Sequence, residues 1–380
     1  MSVAGAGAAL SAVAGERKFV LVILRGALDG LAAVPAYGDP RYAALRGRLA
    51  LAPPGSAGGV LFLDRTFGLH PKLSFLHEEW KNGALAILHA AASPYRERSH
   101  FDGQDVLESG AAAVFALNDG WLNRALLLAP PAKGVALSGS LPLVLRGPGP
   151  ASNYAPTFVR AANEDTLIRL MDLYADDPVL GPALASAIET EDVASGGMAA
   201  RERPDRGYGR GNGQWPVLAG AAAKLLAAPG GPAAAVLSFD GWDSHANQGG
   251  ADGYVAVRLA GLDASLKSLK EGLGATWGKT LVIVATEFGR TVAPNGTLGT
   301  DHGTGGAAFV LGGAARGGRM IGDWPGLGSL YQNRDLQPAN DLRALFMTSL
   351  EEHWGIARAD LRNKVFPGAG ASPFSGLVKI

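Results

Sequence analysis

Acidic residues and histidines lie just beyond two apolar runs of the chain. Asp243 and His245 follow the run AAAVLSF at 233–239, and Asp301 and His302 lie beyond the run TLVIVA at 280–285. Carboxylates and neutral imidazoles suit zinc, manganese or another borderline-to-hard divalent metal. The 380-residue sequence contains no cysteine, which excludes disulfides, thiolate zinc sites and a cysteine nucleophile.

A hydroxyl group lies where a helix could begin. Ser99 follows the apolar run ALAILH at 84–89 and has Asp102 three residues further on. Free N–H groups and the positive end of the helix dipole favour a bound anion there, and a metal could activate the hydroxyl as a nucleophile. Two metal ions could hold the attacking and leaving oxygens of a displacement at phosphorus. Arg98 and Arg290 are candidates for an anion clamp, because guanidinium matches phosphate geometry.

Each of these features also has a purely structural interpretation. Ser99 could be only a helix N-cap. The segment Asp301-His302-Gly303 could be a turn that closes on glycine, and Asp29-Gly30 could be a turn or a helix cap. Four further histidines lack suitable acidic partners and are predicted to be structural: His70, His77, His89 and His353.

Short apolar runs alternate with longer helical stretches along the chain. Unbroken hydrophobic runs predict strands at 19–24, 84–89, 233–239 and 280–285, with weaker candidates at 141–145 and 307–311. Such runs indicate burial on both faces of a largely parallel sheet. Helices are predicted at 73–81, 104–109, 163–174, 214–228, 254–273 and 342–354. The alternation predicts a doubly wound α/β fold.

The predicted sheet explains why distant polar residues should meet. Ligands of open α/β sheets bind outside the carboxyl ends of the strands. Several of the polar residues follow a buried run, so we expect them to cluster at one sheet edge. The expected members are Asp29, Ser99, Asp243, His245, Glu287 and His302.

Composition limits the classes of protein and of partner. Hydrophobic residues make up 47% and charged residues 18%, which supports a large core and excludes disorder. The 34 basic and 34 acidic residues balance, so binding driven by a nucleic-acid backbone is not expected. No apolar run is long enough to span a bilayer. No linker divides residues 19–380, which we interpret as one domain with an insertion or lid at about 133–213.

The N-terminus carries a hint of export. Residues 1–14 are small and apolar and end in Ala-Val-Ala, which is similar to the end of a secretory signal, although the basic region that normally precedes it is missing. We therefore predict that residues 1–18 are a flexible tail or the remnant of an export signal, outside the packed fold.

Several long motifs resemble one bacterial family. They are LRGALDGLAAVPAYGDPRY, FGLHPKL, HAAASPYRERSHFDGQDVLESG, GWLNRAL, FDGWDSHANQGG, TEFGRTVAPNGTLGTDHGTGG and RGGRMIGDWPGL. They resemble the family called domain of unknown function 1501 from about 19 to about 368. That family is grouped with the alkaline phosphatase and sulfatase superfamily and is usually exported by the twin-arginine route. The resemblance implies a three-layer α/β/α fold and a periplasmic or secreted protein.

The superfamily pattern implies roles for individual positions. Asp29 is similar to its first metal-binding aspartate, and Ser99 to its hydroxyl or formylglycine nucleophile. Asp243 and His245 are similar to the ligands of one metal, and His302, with Asp301 beside it, to a later histidine ligand. The strand that usually ends in Asp-His ends here in Glu287-Phe288. One imidazole is therefore missing, which leaves two ions, one ion or none open.

A sulfatase of the formylglycine type is excluded. The segment nearest to its modification motif is Ala92-Ser93-Pro94-Tyr95-Arg96, with alanine at the position that would be modified. The leading hypothesis is an exported, metal-dependent hydrolase of a small anionic phosphate or related ester. Its metal ligands would be Asp29, Asp243, His245, Glu287 and His302, and Ser99 its nucleophile. The alternative is a non-catalytic binding or assembly protein that retains the polar cleft.

Overall fold

The fold is built on one large mixed sheet. The computed structural model describes residues 16–129, 132–155, 212–370 and 372–379, together with parts of 169–187. The main strands are Lys18–Arg25 (β1), Leu85–Ala92 (β4), Gly134–Ala136 (β5), Ala151–Asn153 (β6), Ala234–Asp240 (β7), Thr280–Thr286 (β8), Gly306–Leu311 (β9), Arg319–Ile321 (β10) and Asn340–Asp341 (β11). A separate hairpin consists of Leu61–Phe62 (β2) and Gly68–Leu69 (β3).

The strand order is β10-β4-β9-β8-β1-β7-β5-β6, and β11 also pairs with β4. Strand β9 runs antiparallel to both of its neighbours, and the other pairings among the described strands of this sheet are parallel. The start of β9 therefore lies at the edge where β1, β4, β7 and β8 end.

The helices cover both faces of the sheet. The longest are Ser74–Lys81 (α1), His100–Ser109 (α2), Trp121–Leu128 (α3), Trp215–Ala227 (α4), Tyr254–Leu273 (α5) and Leu342–Trp354 (α6). Shorter helices are Gly30–Ala33, Tyr42–Arg46 and Arg358–Asp360. Alternate residues of β1 point into two separate cores: Val20 and Val22 pack with α1, α4 and α5, whereas Phe19 and Leu21 pack with α3 and α6. The predicted three-layer α/β/α architecture is confirmed.

The sequence placed most main elements correctly. Helices α5 and α6 have the predicted bounds, and the long strands differ by up to three residues. The predicted strand at 141–145 is wrong, because Leu143–Leu145 forms a 3₁₀ helix. The predicted insertion also starts too early, since β5 pairs with β7 inside the main sheet. The predicted helix at 163–174 and the polar segment 189–210 lie mostly or wholly outside the described residues.

The packed chain begins before the predicted position. Lys18 is buried in β1, the Arg17 guanidinium donates to the His353 carbonyl at 3.1 Å, and the Trp354 indole donates to the Arg17 carbonyl at 3.1 Å. Residues 17 and 18 therefore belong to the fold and not to a tail. Residues 1–15 lie outside the described residues. Among the described helices, none combines the length and the apolar character that a membrane crossing needs.

Candidate metal centre

The turn after β7 carries Asp243 against the end of β1. The backbone N–H of Trp242 donates to the Arg25 carbonyl at 3.2 Å. Gly26 has a φ of +110°, and a Cβ atom there would lie 2.7 Å from the backbone nitrogen of Asp243. Glycine therefore allows the two chain segments to cross at this point.

Arg290, which follows β8, holds Asp243 in place. The Arg290 guanidinium is buried and its Nη1 donates to Asp243 Oδ1 at 2.5 Å. Its other nitrogens donate to the hydroxyl and the carbonyl of Thr300. Partial burial alone would raise the pKa of Asp243, but the Arg290 guanidinium and neighbouring imidazoles lower that pKa overall. Asp243 is thus an oriented, ionised carboxylate.

In each of three histidines, Nδ1 faces an oxygen that only accepts a hydrogen bond. The pairs are His100 with Glu287 Oε1 at 2.8 Å, His302 with the Arg98 carbonyl at 2.8 Å, and His245 with Asp301 Oδ1 at 3.1 Å. Each Nδ1 can therefore donate its hydrogen to that oxygen, and in this tautomer the neutral ring has its lone pair on Nε2. This is the arrangement that orients histidine ligands in metal sites.

The three Nε2 atoms converge beside the Asp243 carboxylate. His302 Nε2 lies 2.9 Å from His100 Nε2 and 3.1 Å from His245 Nε2. Asp243 Oδ1 lies 3.2 Å from His302 Nε2 and 2.9 Å from His245 Nε2, and its Oδ2 lies 3.5 Å from His100 Nε2. Donor atoms around one metal ion stand about 3.0 Å apart in octahedral and about 3.4 Å apart in tetrahedral geometry when each bond is about 2.1 Å long. The donor set therefore fits a divalent metal.

His100, Asp243 and His302 form a group that could hold a metal ion, with ligand atoms within 4.8 Å of one another. His245 adjoins this group through its contacts with His302 and Asp243. Lone pairs on neighbouring nitrogens repel one another, so a cation or a proton between them is needed to hold the rings this close. Three residues of this constellation, Asp243, His245 and His302, were expected from the sequence.

The two central histidines differ in basicity. The hydrogen bond to Glu287 raises the pKa of His100 above its ordinary value, against the opposite effect of partial burial. Burial lowers the pKa of His302, and the nearby His100 lowers it further. A proton in the cluster therefore resides on His100 in preference to His302.

His100 is the member of this cluster that sequence reasoning missed. Helix α2 starts at His100, four residues before the predicted start, so its ring lies in the first turn, at the sheet edge. The His100 ring stacks on Phe288 with 5.0 Å between centroids. An imidazole thus lies directly against the phenylalanine where the superfamily pattern has histidine. The position of His100 beyond a buried strand, next to Ser99, was the available signal.

Glu287 and Asp301 hold histidines, whereas the sequence suggested that they bind metal. Glu287 is fully buried and also accepts the Gly26 N–H at 2.7 Å and the Thr286 hydroxyl at 2.9 Å. Asp301 is about half exposed and also accepts from the Asn295 amide at 2.9 Å. Each carboxylate is therefore placed behind an imidazole and orients it.

Asp29 has the structural role that was its alternative interpretation. Its Oδ1 caps the short helix Gly30–Ala33 by accepting from the N–H groups of Leu31 and Ala32, both at 3.1 Å. Its Oδ2 accepts from Arg46 at 2.7 Å and from Gln248 at 2.6 Å. The chain's own donors occupy both oxygens, so the prediction of Asp29 as a metal ligand is replaced by a cap and a buried ion pair.

The two predicted clamp arginines are bound to the protein itself. Arg98 donates to Asp335 at 2.9 Å and to Gln332 at 2.6 Å. Arg290 donates its hydrogen bonds to Asp243 and Thr300. Ser99 lies at the N-cap position of α2, but its side chain makes no capping hydrogen bond. The hydroxyl of Ser99 lies at the helix N-terminus, beside the Tyr95 hydroxyl. In the chain, Ser99 stands between Arg98, whose carbonyl accepts from His302, and His100 of the cluster.

A family model described as a protein of unknown function (DUF1501) matches residues 92–365. The chain belongs to this family. The match covers the segments of the candidate metal centre, from Ser99 and His100 through Asp243 and His245 to His302. A search of curated proteins finds no match.

Several solved structures are similar to this DUF1501 member at low identity. A phosphonate monoester hydrolase of Agrobacterium radiobacter is 12% identical, with a TM-score of 0.38 over 90% of this chain and 74% of the other. An alkaline phosphatase from the Antarctic bacterium TAB5 is 12% identical, with a TM-score of 0.34 over 78% and 90%. A sulfatase from Pseudoalteromonas sp. is 16% identical, with a TM-score of 0.40 over 97% and 73%.

Proposed function

We propose that this DUF1501 member is a metal-dependent hydrolase of a small phosphate or related ester. The observation that carries the proposal is the convergence of three Nε2 atoms and one carboxylate, with the Nδ1 of each ring tied to an acceptor. The Nε2 atoms face one another and the Asp243 carboxylate, which is the arrangement of ligands around a shared ion.

His100, His302 and Asp243 would hold the metal. His245, whose Nε2 contacts both His302 and Asp243, would lie next to the ion. Imidazole nitrogen with carboxylate oxygen is a ligand set for zinc or manganese. A divalent ion bound there would polarise a phosphoryl oxygen and stabilise the charge that develops during displacement. Glu287, Asp301 and the Arg98 carbonyl would keep the three rings in the tautomer that binds metal.

Ser99 is the proposed nucleophile. Its hydroxyl makes no capping hydrogen bond to α2 and lies at the N-terminus of this helix, where free N–H groups stabilise an anion. Ser99 Oγ would form a bond to phosphorus as the bond to the leaving alcohol breaks, and the hydroxyl proton would leave to solvent while the alcohol takes one up. Water would then cleave the phosphoserine ester and restore the hydroxyl.

One observation favours a non-catalytic binding protein instead. Both arginines that could clamp a phosphate, Arg98 and Arg290, donate to protein acceptors. The two functions differ in turnover. Metal bound without turnover on any phosphoester would support the binding protein, whereas turnover would support the hydrolase.

The decisive experiment measures metal and activity together. Protein purified without chelator is analysed for zinc and manganese and assayed on phosphomonoesters, phosphodiesters and phosphonate monoesters. We expect Ser99→Ala to abolish turnover and keep the metal, and His302→Ala to lose both. His77→Ala is the matched control, because His77 bonds to the Phe62 carbonyl outside the cluster. Turnover that survives Ser99→Ala would make water the attacking group, and absence of bound metal would contradict the proposal.

Export to the periplasm is a further part of the proposal. It is supported by the Ala-Val-Ala segment at 12–14 and the resemblance to exported proteins. Cleavage of a precursor before the packed residues 17 and 18, seen in the mass of the mature protein, would support it.

A further inference from the structure

One buried carboxylate outside the metal centre is connected to it through two arginines. Asp335 is fully buried. Its Oδ2 accepts from Arg98 Nε at 2.9 Å and Nη2 at 2.8 Å, and its Oδ1 accepts from Arg334 Nε at 2.9 Å. Neither the sequence motifs nor the proposed metal ligands include Asp335.

Both arginines also contact His302, Arg98 at its ring and Arg334 at its main chain. The Arg98 carbonyl accepts the Nδ1–H of His302 at 2.8 Å, and Arg334 Nη2 donates to the His302 carbonyl at 2.6 Å. Through these two contacts, one carboxylate is linked to the ring and to the main chain of the same histidine.

The backbone of Arg98 is in a conformation that its side chain disfavours. Arg98 has a φ of +65°, in the left-handed region where a Cβ atom crowds the following carbonyl. Such a conformation persists where the surrounding structure enforces it. The ion pair with Asp335 supplies that constraint, together with the hydrogen bond from the Ser99 N–H to the Tyr95 hydroxyl at 3.0 Å.

Asp335 itself is fixed independently of its side chain. Tyr331 and Asp335 exchange two backbone hydrogen bonds of 2.8 and 3.0 Å, which close the turn 331–335. The carboxylate is therefore a rigid anchor, and Arg98 is the element that it holds in place.

We propose that Asp335 is a positioning residue for His302. It anchors Arg98 in its left-handed conformation, which directs the Arg98 carbonyl at His302 Nδ1. The hydrogen of the ring then stays on Nδ1, and Nε2 keeps the lone pair that binds a ligand. The effect on the His302 ring stands without the proposed function. The effect on metal binding rests on that function.

The test compares two variants that both lack the guanidinium. Arg98→Ala loses the ion pair and retains a Cβ atom, so its backbone should leave the left-handed region. Arg98→Gly loses the same ion pair, but glycine adopts φ near +65° without a steric penalty. We expect His302 to lose its Nδ1–H tautomer in Arg98→Ala and to keep it in Arg98→Gly. Ring ¹⁵N shifts of the full-length, metal-free protein at pH 8 report the tautomer, and His302→Asn identifies the signals.

Zinc titration by calorimetry gives the second readout. We expect zinc to bind roughly 10- to 100-fold more weakly to Arg98→Ala, the range typical of residues behind metal ligands, and to bind Arg98→Gly much as it binds the wild type. Asp335→Asn should behave like Arg98→Ala, and combining it with Arg98→Gly should restore binding. Asp263→Asn is the matched control, because Asp263 is a buried carboxylate that accepts from Phe75 and Leu76 on α1.

The outcomes separate this inference from the proposed function. Equal His302 tautomers in the alanine and glycine variants would overturn the positioning role, whether or not zinc binds. Should Asp335→Asn fail to fold, the alanine–glycine comparison decides alone. A wild-type protein with the Nδ1–H tautomer but no affinity for zinc or manganese would contradict the metal centre and leave the role of Asp335 in orienting the ring intact.

Discussion

Glu287 is a buried carboxylate that can make the His100 imidazole a stronger metal ligand. It does so only while the carboxylate stays ionised. Burial alone would raise the pKa of Glu287, but hydrogen bonds from His100, from the N–H of Gly26 and from Thr286 lower that pKa overall. The ionised group accepts the Nδ1–H of His100 and increases the electron density at Nε2. The charge of Glu287 is thereby transmitted to the proposed metal.

Glu287→Gln should weaken zinc binding by about 10- to 100-fold while the fold persists. Glutamine still accepts a hydrogen bond from His100, but without charge. Calorimetric zinc titration of the variant checks this expectation. Glu79→Gln is the control, because Glu79 is also a buried glutamate, paired with Lys270 at 2.7 Å away from the cluster. Equal zinc affinity in Glu287→Gln and wild type would show that Glu287 does not support the ligand.

At the scale of elements, the reversed direction of β9 brings His302 into the site. A parallel β9 would start at the opposite edge of the sheet. Because β9 is antiparallel to β4 and β8, the residues that precede it lie where the other strands end. The two ends of the connection between β8 and β9 are joined by a hydrogen bond. The N–H of Gly303, next to His302, donates to the Gly289 carbonyl at 2.8 Å. The loop 287–305 therefore leaves and re-enters the sheet at one edge.

Helix α2 sets the position of His100 through close packing on Phe288. A Cβ atom at Gly103 would lie 2.9 Å from Phe288 Cδ1. Gly103→Ala should push α2 away from β8, displace His100 and weaken zinc binding by calorimetry. Gly220→Ala is the matched control in α4, where the added atom meets Ser268 Oγ at 3.4 Å. The control should leave zinc binding unchanged and stabilise the protein by up to about 1 kcal/mol through helix propensity; equal zinc affinity in both variants would contradict the packing argument.

For the whole molecule, a buried neutral histidine predicts acid sensitivity. His353 Nε2 donates to the Lys18 carbonyl at 3.0 Å, and burial lowers the pKa of His353 from 6.5 to about 4. Below pH 6.5 the unfolded chain therefore binds a proton at His353, whereas the folded chain binds this proton only below about pH 4. Stability rises with pH in this window, and on acidification about 3 kcal/mol is lost between pH 6.5 and 4.

Urea unfolding at several pH values tests this expectation. The wild type should lose about 3 kcal/mol more than His353→Gln between pH 7 and 4, because glutamine can donate to the same carbonyl without taking up a proton. Parallel pH profiles of the two proteins would show that another group titrates.

The start of the packed chain can be tested by truncation. Removing residues 1–18 should lower the midpoint of thermal unfolding relative to removing residues 1–15. The longer truncation deletes the first residue of β1 and the contacts of Arg17 with His353 and Trp354. Differential scanning calorimetry of both proteins gives the comparison, and equal midpoints would place residues 17 and 18 outside the cooperative fold.

The buried strands and long amphipathic helices were readable from the sequence, because a run buried on both faces has a local signature. Helix α5 and strand β8 show this most clearly. The short strands β5 and β6 have three residues each and carry too little hydrophobic pattern to be recognised. Leu141–Leu145 is apolar enough for a strand, yet Leu143–Leu145 forms a 3₁₀ helix that packs into the core shared with α3 and α6.

The sequence by itself determined which residue types reach the carboxyl edge of the sheet, because strand ends are local features. Asp243, His245 and His302 were found in this way. Only the tertiary structure decided what each group does there. Whether Asp29 binds a metal or Arg46, and whether Glu287 is a ligand or supports His100, depends on contacts between residues far apart in the chain. The state of each imidazole is set by the acceptor at Nδ1, and those acceptors come from two loops, 93–99 and 287–305.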